Sequence, residues 1–318
     1  MTRRAWFAFA AMSLLWGCSY LLIRIAVRGG MPAADVAWTR VFVAAVLLLA
    51  LSWRTGLLGS VRGRWRWLAV YAVVEISIPF PLIAAGEVHV ASSLAAILIA
   101  AVPLIGAVLA MRFDHSERPT HTRALGLGVG FAGVIALVGV DVAGSGPELV
   151  GACAILVAAV GYAIGPMIVK HHLHGLDPRV MMGTSLGLAT LILAPFAAVD
   201  TPSRAPTLGA WACVVGLGVF CTALAFVVFA VLIREAGTSR ATVITYVNPL
   251  VAVVLGVTLE GERPGAGAIA GLLLILAGSW LSTGGRLPPW RRSPAQRDPA
   301  QTRAGAEGDA RLSQVSTV

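Results

Sequence analysis

Two charged side chains in apolar surroundings could do chemistry in this sequence. Glu75 opens the stretch "EISIPFPLIAAGE" (75–87), and Arg40 opens the run "RVFVAAVLLL" (40–49). A carboxylate can bind an amine or take up and release a proton, whereas a guanidinium binds carboxylates through two parallel hydrogen bonds. The two residues could also form a buried ion pair with each other. The choice depends on the elements that carry them.

Composition indicates that these elements are membrane helices. The chain has 318 residues, of which 58% are hydrophobic and 12% charged, whereas soluble domains carry about 25% charged residues. The apolar residues fall in blocks of roughly 17 to 24, the length that crosses a hydrocarbon core ~30 Å thick. The sequence therefore predicts an all-α polytopic membrane protein whose surroundings are the lipid bilayer.

Ten transmembrane spans can be drawn, followed by a polar segment. The spans cover about 6–26, 34–53, 67–85, 90–111, 123–140, 149–169, 179–198, 210–233, 239–259 and 266–283. Residues 285–318 are rich in Arg, Pro, Gln and Ala and contain few aliphatic residues. Such a composition cannot bury enough apolar surface to fold, so we expect a disordered tail.

The basic residues predict the orientation of the chain. Most of the 24 Lys and Arg residues lie on the side of the two termini, and the loops on the other side hold only Arg28, Arg204 and Arg263. An excess of Lys and Arg marks the cytoplasmic side, so both termini and the tail are predicted to be cytoplasmic in a cell (plasma or inner) membrane. Because the charges sit in short loops and the tail, the net charge of +9 does not indicate nucleic-acid binding.

The chain repeats itself. "SERPTHTRALGLGVGFAG" (116–133) aligns without a gap with "GERPGAGAIAGLLLILAG" (261–278), and "ASSLAAILIAAVPL" (91–104) aligns with "GTSRATVITYVNPL" (237–250). The repeated unit holds five spans. Because five is odd, the second copy enters the membrane from the opposite side, and the sequence predicts two inverted five-helix repeats, an arrangement common in secondary transporters.

At these stretches the sequence resembles the EamA domains of the drug/metabolite transporter superfamily. The resemblance covers "LLWGCSYLLIRIA" (14–26), "RVFVAAVLLL" and both copies of the repeated pattern. It implies a first EamA-like repeat at 6–140 and a second at 149–284. It also implies a ten-helix basket around a central cavity, used in most members to export or admit metabolites across an inner membrane.

Prolines and polar residues inside the spans indicate where a site could lie. Pro79 and Pro81 remove backbone donors one turn after Glu75, and breaks at membrane depth are tolerated where protein or a cavity covers the freed carbonyls. Pro103 and Pro249 occupy equivalent positions in spans 4 and 9, and packing alone could also explain such kinks. The polar residues around Pro249, together with Trp16 in span 1, complete the candidate site: Thr242, Thr245, Tyr246 and Asn248. We expect this site between spans 3, 4 and 9.

Several readings of the charged residues stay open. A charge at the centre of a membrane helix costs ~2.5–3.5 kcal/mol by insertion scales, so it normally has a partner or a use. For Glu75 we favour binding of a substrate amine or proton coupling over pairing with Arg40. Arg40 could bind a substrate carboxylate or pair with Glu87 or Asp35. Arg24 is expected to snorkel to the interface.

The sequence offers no sign of catalysis or of a cofactor. Phosphate-loop, HExxH and CxxC motifs are absent, so neither ATP-driven pumping nor an enzyme is indicated. The "KHHLHG" segment (170–175) is interpreted as solvated charge rather than as a metal site. The glycine-rich stretches "GLGVGFAG" and "GAGAIAG" favour packing within the bundle over a dimer seam, and the oligomeric state stays open between monomer and homodimer.

The leading hypothesis is a secondary transporter that moves small polar or amphipathic metabolites, such as amino acids, by alternating access. The alternatives are a drug-efflux permease, which needs a large aromatic cavity, and a membrane sensor or scaffold without transport. The drug-efflux alternative has Phe220, Phe226, Phe229 and Tyr246 to draw on in spans 8 and 9.

Overall fold

The computed structural model describes residues 2–113, 120–142, 144–200, 202, 204–237, 241 and 243–282. Four sequence predictions fall outside this part of the chain: the tail at 285–318, the first copy of the Glu-Arg-Pro motif at 117–119, the start of span 9 at 239, and Thr242.

Within the described residues the protein is entirely helical and contains no strand. Ten helices carry the chain back and forth: α1 (Arg3–Arg28), α2 (Ala33–Arg54), α3 (Trp65–His89), α4 (Ser92–Phe113), α5 (His121–Val142), α6 (Gly146–Leu173), α7 (Pro178–Val199), α8 (Leu208–Ala236), α9 (Ile244–Leu259) and α10 (Ala266–Ser282). The first eight are long and apolar enough to cross a membrane, and α9 and α10 are shorter apolar helices. The predicted fold class is confirmed.

Polar residues placed directly before the apolar runs begin several helices. The side chains of Thr2, Asp177 and Thr207 accept hydrogen bonds from backbone amides in the first turns of α1, α7 and α8. Such caps satisfy amide groups that have no partner inside the helix. The helix starts therefore follow from local sequence, even where the chain is apolar throughout.

The helices pack as two related sets of five. Helix α1 packs on α8 and α9, and α6, its counterpart in the second set, packs on α3 and α4, the counterparts of α8 and α9. Two further large contacts join counterparts directly, α2 to α7 and α5 to α10. The packing thus has the pseudo-twofold relation that the sequence repeat predicts.

The two sets run in opposite directions. Helix α1 ends near the start of α8, where the Thr207 amide donates to the carbonyl of Gly29, and Arg28 pairs with Glu260 at 2.9 Å. We call this the α1–α2 end. At the opposite end, which we call the terminal end, Thr2 donates to Glu235 and Arg64 donates to the carbonyl of His174 at the end of α6. Since α1 begins at the terminal end and α6 finishes there, the repeats are inverted.

Small residues bring α5 and α10 into close contact. A Cβ atom on Gly126 would meet Leu281 and the backbone of Ser282, and one on Gly133 would meet Leu274. Only glycine leaves this space, so the glycine-rich stretches pack the two repeats against each other inside one chain, as predicted.

Four helices contain a wide, π-helical turn among the described residues: it ends α5 and α6, whereas in α3 and α8 it lies inside the helix, at matching places. In α3 it covers Ala72–Ser77 and in α8 it covers Val219–Leu224, 147 residues later in the numbering. A π turn adds one residue to the helical turn and rotates the side chains that follow, and such turns are frequent at functional sites. Because the two turns are equivalent in the inverted repeats, their side chains are candidates for the functional site.

Candidate functional site

Arg40 lies in the first half of α2, and its buried side chain contacts α3 and α8. The residue is 8% exposed. Its Nε donates to Oγ1 of Thr222 in α8 at 2.8 Å, and its guanidinium carbon lies 4.2 Å from the centre of the Phe80 ring in α3. A guanidinium over an aromatic face is attracted by the electron density of the ring. Helices α3 and α8 therefore fix the position of a positive charge in the interior.

The π turn of α8 prepares the acceptor for Arg40. Thr222 is fully buried, and its hydroxyl donates to the carbonyl of Leu217, five residues earlier, at 2.9 Å. Because the hydroxyl hydrogen is used in this bond, the lone pairs of its oxygen remain to accept from Arg40. The backbone approaches closely here, since a Cβ atom on Gly218 would overlap Val43.

Arg40 has no carboxylate partner among the described residues. The ion pairs found in this part of the chain involve other residues, so Arg40 is not paired with Glu75, Glu87 or Asp35. Its charge does act electrostatically on Tyr20, Tyr162 and Glu87. A buried guanidinium with one neutral hydrogen bond and one ring contact keeps donors for an anion.

Glu75 occupies the π turn of α3 and lies against α6. One of its carboxylate oxygens is buried without a hydrogen-bond partner in the described structure. The carboxylate fills the space above Gly165, where a Cβ atom would overlap it. Tyr71 and Tyr162 interact with it electrostatically. One carboxylate oxygen thus lies against α6 while its hydrogen-bonding capacity stays unused.

Glu75 and Thr222 are equivalent in the two repeats. Each is the fourth residue of its π turn, and they differ by the same 147 positions as the turns themselves. In α3 this position points a carboxylate at α6, whereas in α8 it holds a hydroxyl that accepts from Arg40 of α2. The fourth residue of the π turn is therefore an anionic group in α3, and in α8 it is the acceptor that positions the cationic Arg40.

We expect Gly165→Ala to displace Glu75 and to lower stability. The added methyl group would overlap the carboxylate, and overpacking in a fixed interior costs about 1–3 kcal/mol. The measurement is the melting temperature of the purified protein in detergent. Gly216→Ala is the matched control, because no atom lies within 4 Å of its added Cβ position. Equal melting temperatures for both variants would show that Glu75 is not held by α6.

Trp16 packs on α8. Its ring lies 5.2 Å from Phe229 and 6.0 Å from Phe226, centre to centre, the latter edge to face. Phe226 also packs against the core cluster formed by α2, α3, α6 and α7. Aromatic pairs in this range are favourable beyond the area they bury. The half-buried Trp16 is therefore part of an aromatic group on the inner side of α1 and α8.

The candidate residues of α9 lie against α1. The carbonyl of Asn248 and the side chain of Val251 occupy the space next to Gly17, and the side-chain oxygen of Asn248 is buried without a partner in the described structure. Thr245 and Tyr246 are half-buried in the first turn of the helix. The described contacts do not join Asn248 to Glu75, so a common site of spans 3, 4 and 9 stays a prediction.

The prolines differ in what they do to the helices. Pro79 and Pro81 follow the π turn of α3, and Pro79 starts the α-helical part that continues to His89. In α4 the α-helix is interrupted at Ala100 and Ala101, just before Pro103. Helix α9 runs through Pro249 without a break. The equivalent prolines of the two repeats therefore have different local structures.

Sequence reasoning underrated Glu87, at the end of the same stretch that Glu75 opens. Glu87 is fully buried, and both of its carboxylate oxygens lack a hydrogen-bond partner within the described residues. The charges that act on it belong to Arg24, Glu262 and Arg40. The sequence does show Glu87 as a second carboxylate in the apolar stretch 75–87. Its position next to the predicted end of span 3, however, suggested that it lies at the membrane interface. The interior thus contains two unpartnered carboxylates on α3.

The expectation that Arg24 snorkels outward is wrong. Its side chain is 11% exposed and turns inward, where it donates to the carbonyls of Glu87 and Val90 and lies 3.7 Å from Glu262. Those carbonyls close the C-terminal turn of α3, which has no donors of its own for them. Arg24 is therefore a structural cation that joins α1 to the α3–α4 turn.

Two carboxylates cross between the repeats at the α1–α2 end. Glu262 of the second repeat accepts from the backbone amides of Ser92 and Ser93, at 2.8 and 3.0 Å, at the start of α4 in the first repeat. Asp141 of the first repeat accepts from the amides of Gly267 and Ala268 at the start of α10. Helix N-termini attract negative charge, so each repeat caps a helix of the other. We call this arrangement the cross-repeat clasp.

We expect Glu262→Gln to lower stability by about 0.5–2 kcal/mol, the usual value of a helix cap. Burial raises the pKa of Glu262, but the hydrogen bonds from Ser93 and Ser92 outweigh it and hold the pKa below its usual range. A carboxyl group of this kind stabilises the fold fully above its unfolded pKa of about 4.3, and the stabilisation is lost as the pH falls through the lower folded value.

The melting temperatures of wild type and Glu262→Gln should therefore differ at pH 7 and converge at pH values below about 4. Glu260→Gln is the control in the same loop, since its ion pair with Arg28 lies at the surface and contributes little. If the melting temperatures of wild type and Glu262→Gln still differ by the same amount at low pH, the negative charge of Glu262 does not stabilise the clasp.

Two inverted sets of five apolar helices define a polytopic membrane protein with internal repeats. The chain belongs to the EamA-like transporter family, whose sequence model matches residues 3–139 and 149–284. It is thus a multi-pass membrane transporter, and its substrate is a small molecule.

Named relatives agree with this family. The "Uncharacterized inner membrane transporter YedA" of Escherichia coli is 30% identical over 264 residues, which are 80% of this chain and 82% of that protein. The "Probable terminal-alkyne amino-acid exporter" of Streptantibioticus cattleyicolor is 30% identical over 294 residues, 86% of this chain and 94% of that protein. One solved crystal structure superposes with a TM-score of 0.63 at 18% identity, covering 89% of this chain and 97% of its own. At that identity the likeness concerns the fold alone.

Proposed function

We propose that this transporter is a secondary exporter of small polar or amphipathic metabolites that carry a carboxylate, such as amino acids. The observation that carries the proposal is Arg40, a buried guanidinium that has no carboxylate partner among the described residues. Burying such a charge is costly, and binding a substrate carboxylate through two parallel hydrogen bonds compensates for that cost. The relative whose printed name describes an amino-acid exporter supports the same substrate class.

Glu75 has a second role in this proposal. Its unpartnered carboxylate binds the substrate amine or takes up a proton that is released later in the cycle. Glu75 and Arg40 together supply an anionic and a cationic group, which suits binding of a zwitterion. The equivalence of Glu75 and Thr222, the acceptor of Arg40, in the two repeats supports one site that contains both charges. Pro79, Pro81 and Pro103 are proposed hinges, because they lie at or directly after the interruptions of α3 and α4.

Transport proceeds by alternating access in this proposal, with the termini in the cytoplasm and the α1–α2 end facing outward. The inverted repeats support it, because two halves of opposite orientation can exchange their shapes around a fixed site. The excess of basic residues at the terminal end supports the orientation. The clasp of Glu262 and Asp141 would then open and close on the outer side.

A drug-efflux permease is the second candidate. The group of Trp16, Phe226 and Phe229 favours it, because aromatic side chains can bind flat, apolar solutes. In that case transport would tolerate the loss of Arg40 and would depend on these rings.

The experiment that tests the proposal measures flux in liposomes containing the purified full-length protein. The probe is a labelled amino-acid mixture, with and without a pH gradient, and empty liposomes give the background. We expect flux above background that Arg40→Gln abolishes. Flux of labelled aromatic cations without flux of amino acids would favour the drug-efflux candidate, and no flux of either by folded protein would contradict both.

A further inference from the structure

Two cysteines meet in the interior beside Arg40. Sγ of Cys18 in α1 lies 3.6 Å from Sγ of Cys221 in α8, and both thiols are free. Cys221 is buried and Cys18 is half-buried. They lie ten and thirteen residues from the ends of α1 and α8 at the α1–α2 end, which places both about 15–20 Å deep at 1.5 Å per residue. The two thiols thus lie at a similar depth in the membrane and close to each other.

We propose that Cys18 and Cys221 are a modification site: they form a reversible disulfide that stops transport. The sulfur atoms need to approach by about 1.5 Å to reach the S–S bond length of ~2.05 Å. The guanidinium of Arg40 lies near enough to act electrostatically on both thiols. The other two cysteines, Cys153 and Cys213, have no such neighbour among the described contacts.

Hydrogen peroxide is the oxidant in this proposal. One thiol attacks a peroxide oxygen as its thiolate, the O–O bond breaks, and a sulfenic acid and one water result. The second thiol attacks the sulfenic sulfur, the S–O bond breaks, and a second water leaves as the S–S bond forms. The two thiols lose two electrons and two protons in total, and one peroxide is reduced to two waters.

The fold explains why such a bond would stop transport. Cys18 belongs to the first repeat and Cys221 to the second, so the disulfide ties together the two parts that must move in alternating access. Cys221 also precedes Thr222, the acceptor for Arg40. Pulling Cys221 toward α1 would shift this acceptor and with it the guanidinium. This consequence rests on the proposed function, whereas formation of the disulfide does not.

The test uses two matched forms of the full-length protein in liposomes. One carries Cys153→Ser and Cys213→Ser and keeps the pair, and the other carries Cys18→Ser and Cys221→Ser. Each is treated with hydrogen peroxide, and free thiols are then counted by maleimide labelling of the denatured protein and mass spectrometry. Labelled amino-acid flux is measured on the same samples before and after dithiothreitol.

We expect the form with the pair to lose both free thiols and most of its flux, and to regain both with dithiothreitol. The other form should keep two thiols and its flux. If a variant misfolds, peptide mass mapping of the oxidised wild type identifies the same bond. Thiols that stay free would overturn the proposal, and a disulfide without loss of flux would overturn its effect on transport. Absence of flux before oxidation would contradict the proposed function, while the thiol count would still decide whether the bond forms.

Discussion

Arg40→Gln is expected to abolish measurable amino-acid flux while leaving the protein folded. The substitution keeps a side chain that can donate to Thr222 but removes the charge and the guanidinium fork. A hydrogen bond between charged groups contributes about 1.5–3 kcal/mol, which corresponds to roughly a 10- to 150-fold loss of apparent affinity. The measurement is concentration-dependent flux in liposomes: at trace concentrations the flux of Arg40→Gln should fall to background, and the flux at high concentrations gives its apparent KM.

Two further variants test whether the effect depends on the guanidinium of Arg40. Arg40→Lys keeps the charge but not the planar fork, so its flux should fall between those of wild type and Arg40→Gln. Arg54→Gln, at the exposed end of the same helix, is the matched control and should transport like wild type. Wild-type KM in Arg40→Gln would remove the main support for a carboxylate-bearing substrate.

Glu75→Gln is expected to remove the dependence of flux on a pH gradient. An amide has nearly the same shape as the carboxyl group but cannot take up a proton, so coupling through this position ends. The variant fits the space above Gly165 that the carboxylate now fills. The measurement is the ratio of initial rates with and without an imposed gradient, which should exceed one in wild type and fall to about one in the variant.

The control for Glu75 is Glu260→Gln, a change of the same kind at the surface of the α1–α2 end. It should keep the wild-type ratio. A ratio that survives in Glu75→Gln but disappears in Glu87→Gln would move the proton-binding role to the second buried carboxylate of α3. An unchanged ratio in both would make these carboxylates structural or substrate-binding groups.

The fold could be predicted from the sequence because hydropathy and the repeat act over whole segments. The predicted span 34–53 differs from α2 (Ala33–Arg54) by one residue at each end. The end of span 3 was placed too early. The prediction ended span 3 at 85, but the helix continues to His89 because the structure buries Glu87. Hydropathy gives no information on how a single charge is accommodated.

The site could be predicted only in part. Arg40 and Glu75 stand out as charges in apolar runs, but Thr222 is an ordinary residue of such a run, and its contact with Arg40 spans 182 positions. Pro79 and Pro81 mark the π turn of α3, but the matching turn of α8, which holds Thr222, has no such marker in the residue types around it. Glu262 was noticed as part of a repeated motif, yet its partners Ser92 and Ser93 lie in the other repeat. Such contacts between the repeats depend on how the helices pack against each other, and a single sequence gives no direct information on that packing.

Counterflow in liposomes tests the central claim most directly, namely that one interior site containing Arg40 is exposed in turn to the two sides. Vesicles are loaded with an unlabelled amino-acid mixture and diluted into a trace of the same mixture carrying a label. Wild type is expected to show a transient accumulation of label above the outside concentration, and Arg40→Gln is expected to show none. Absence of the transient in folded wild type, or an equal transient in Arg40→Gln, would contradict this claim.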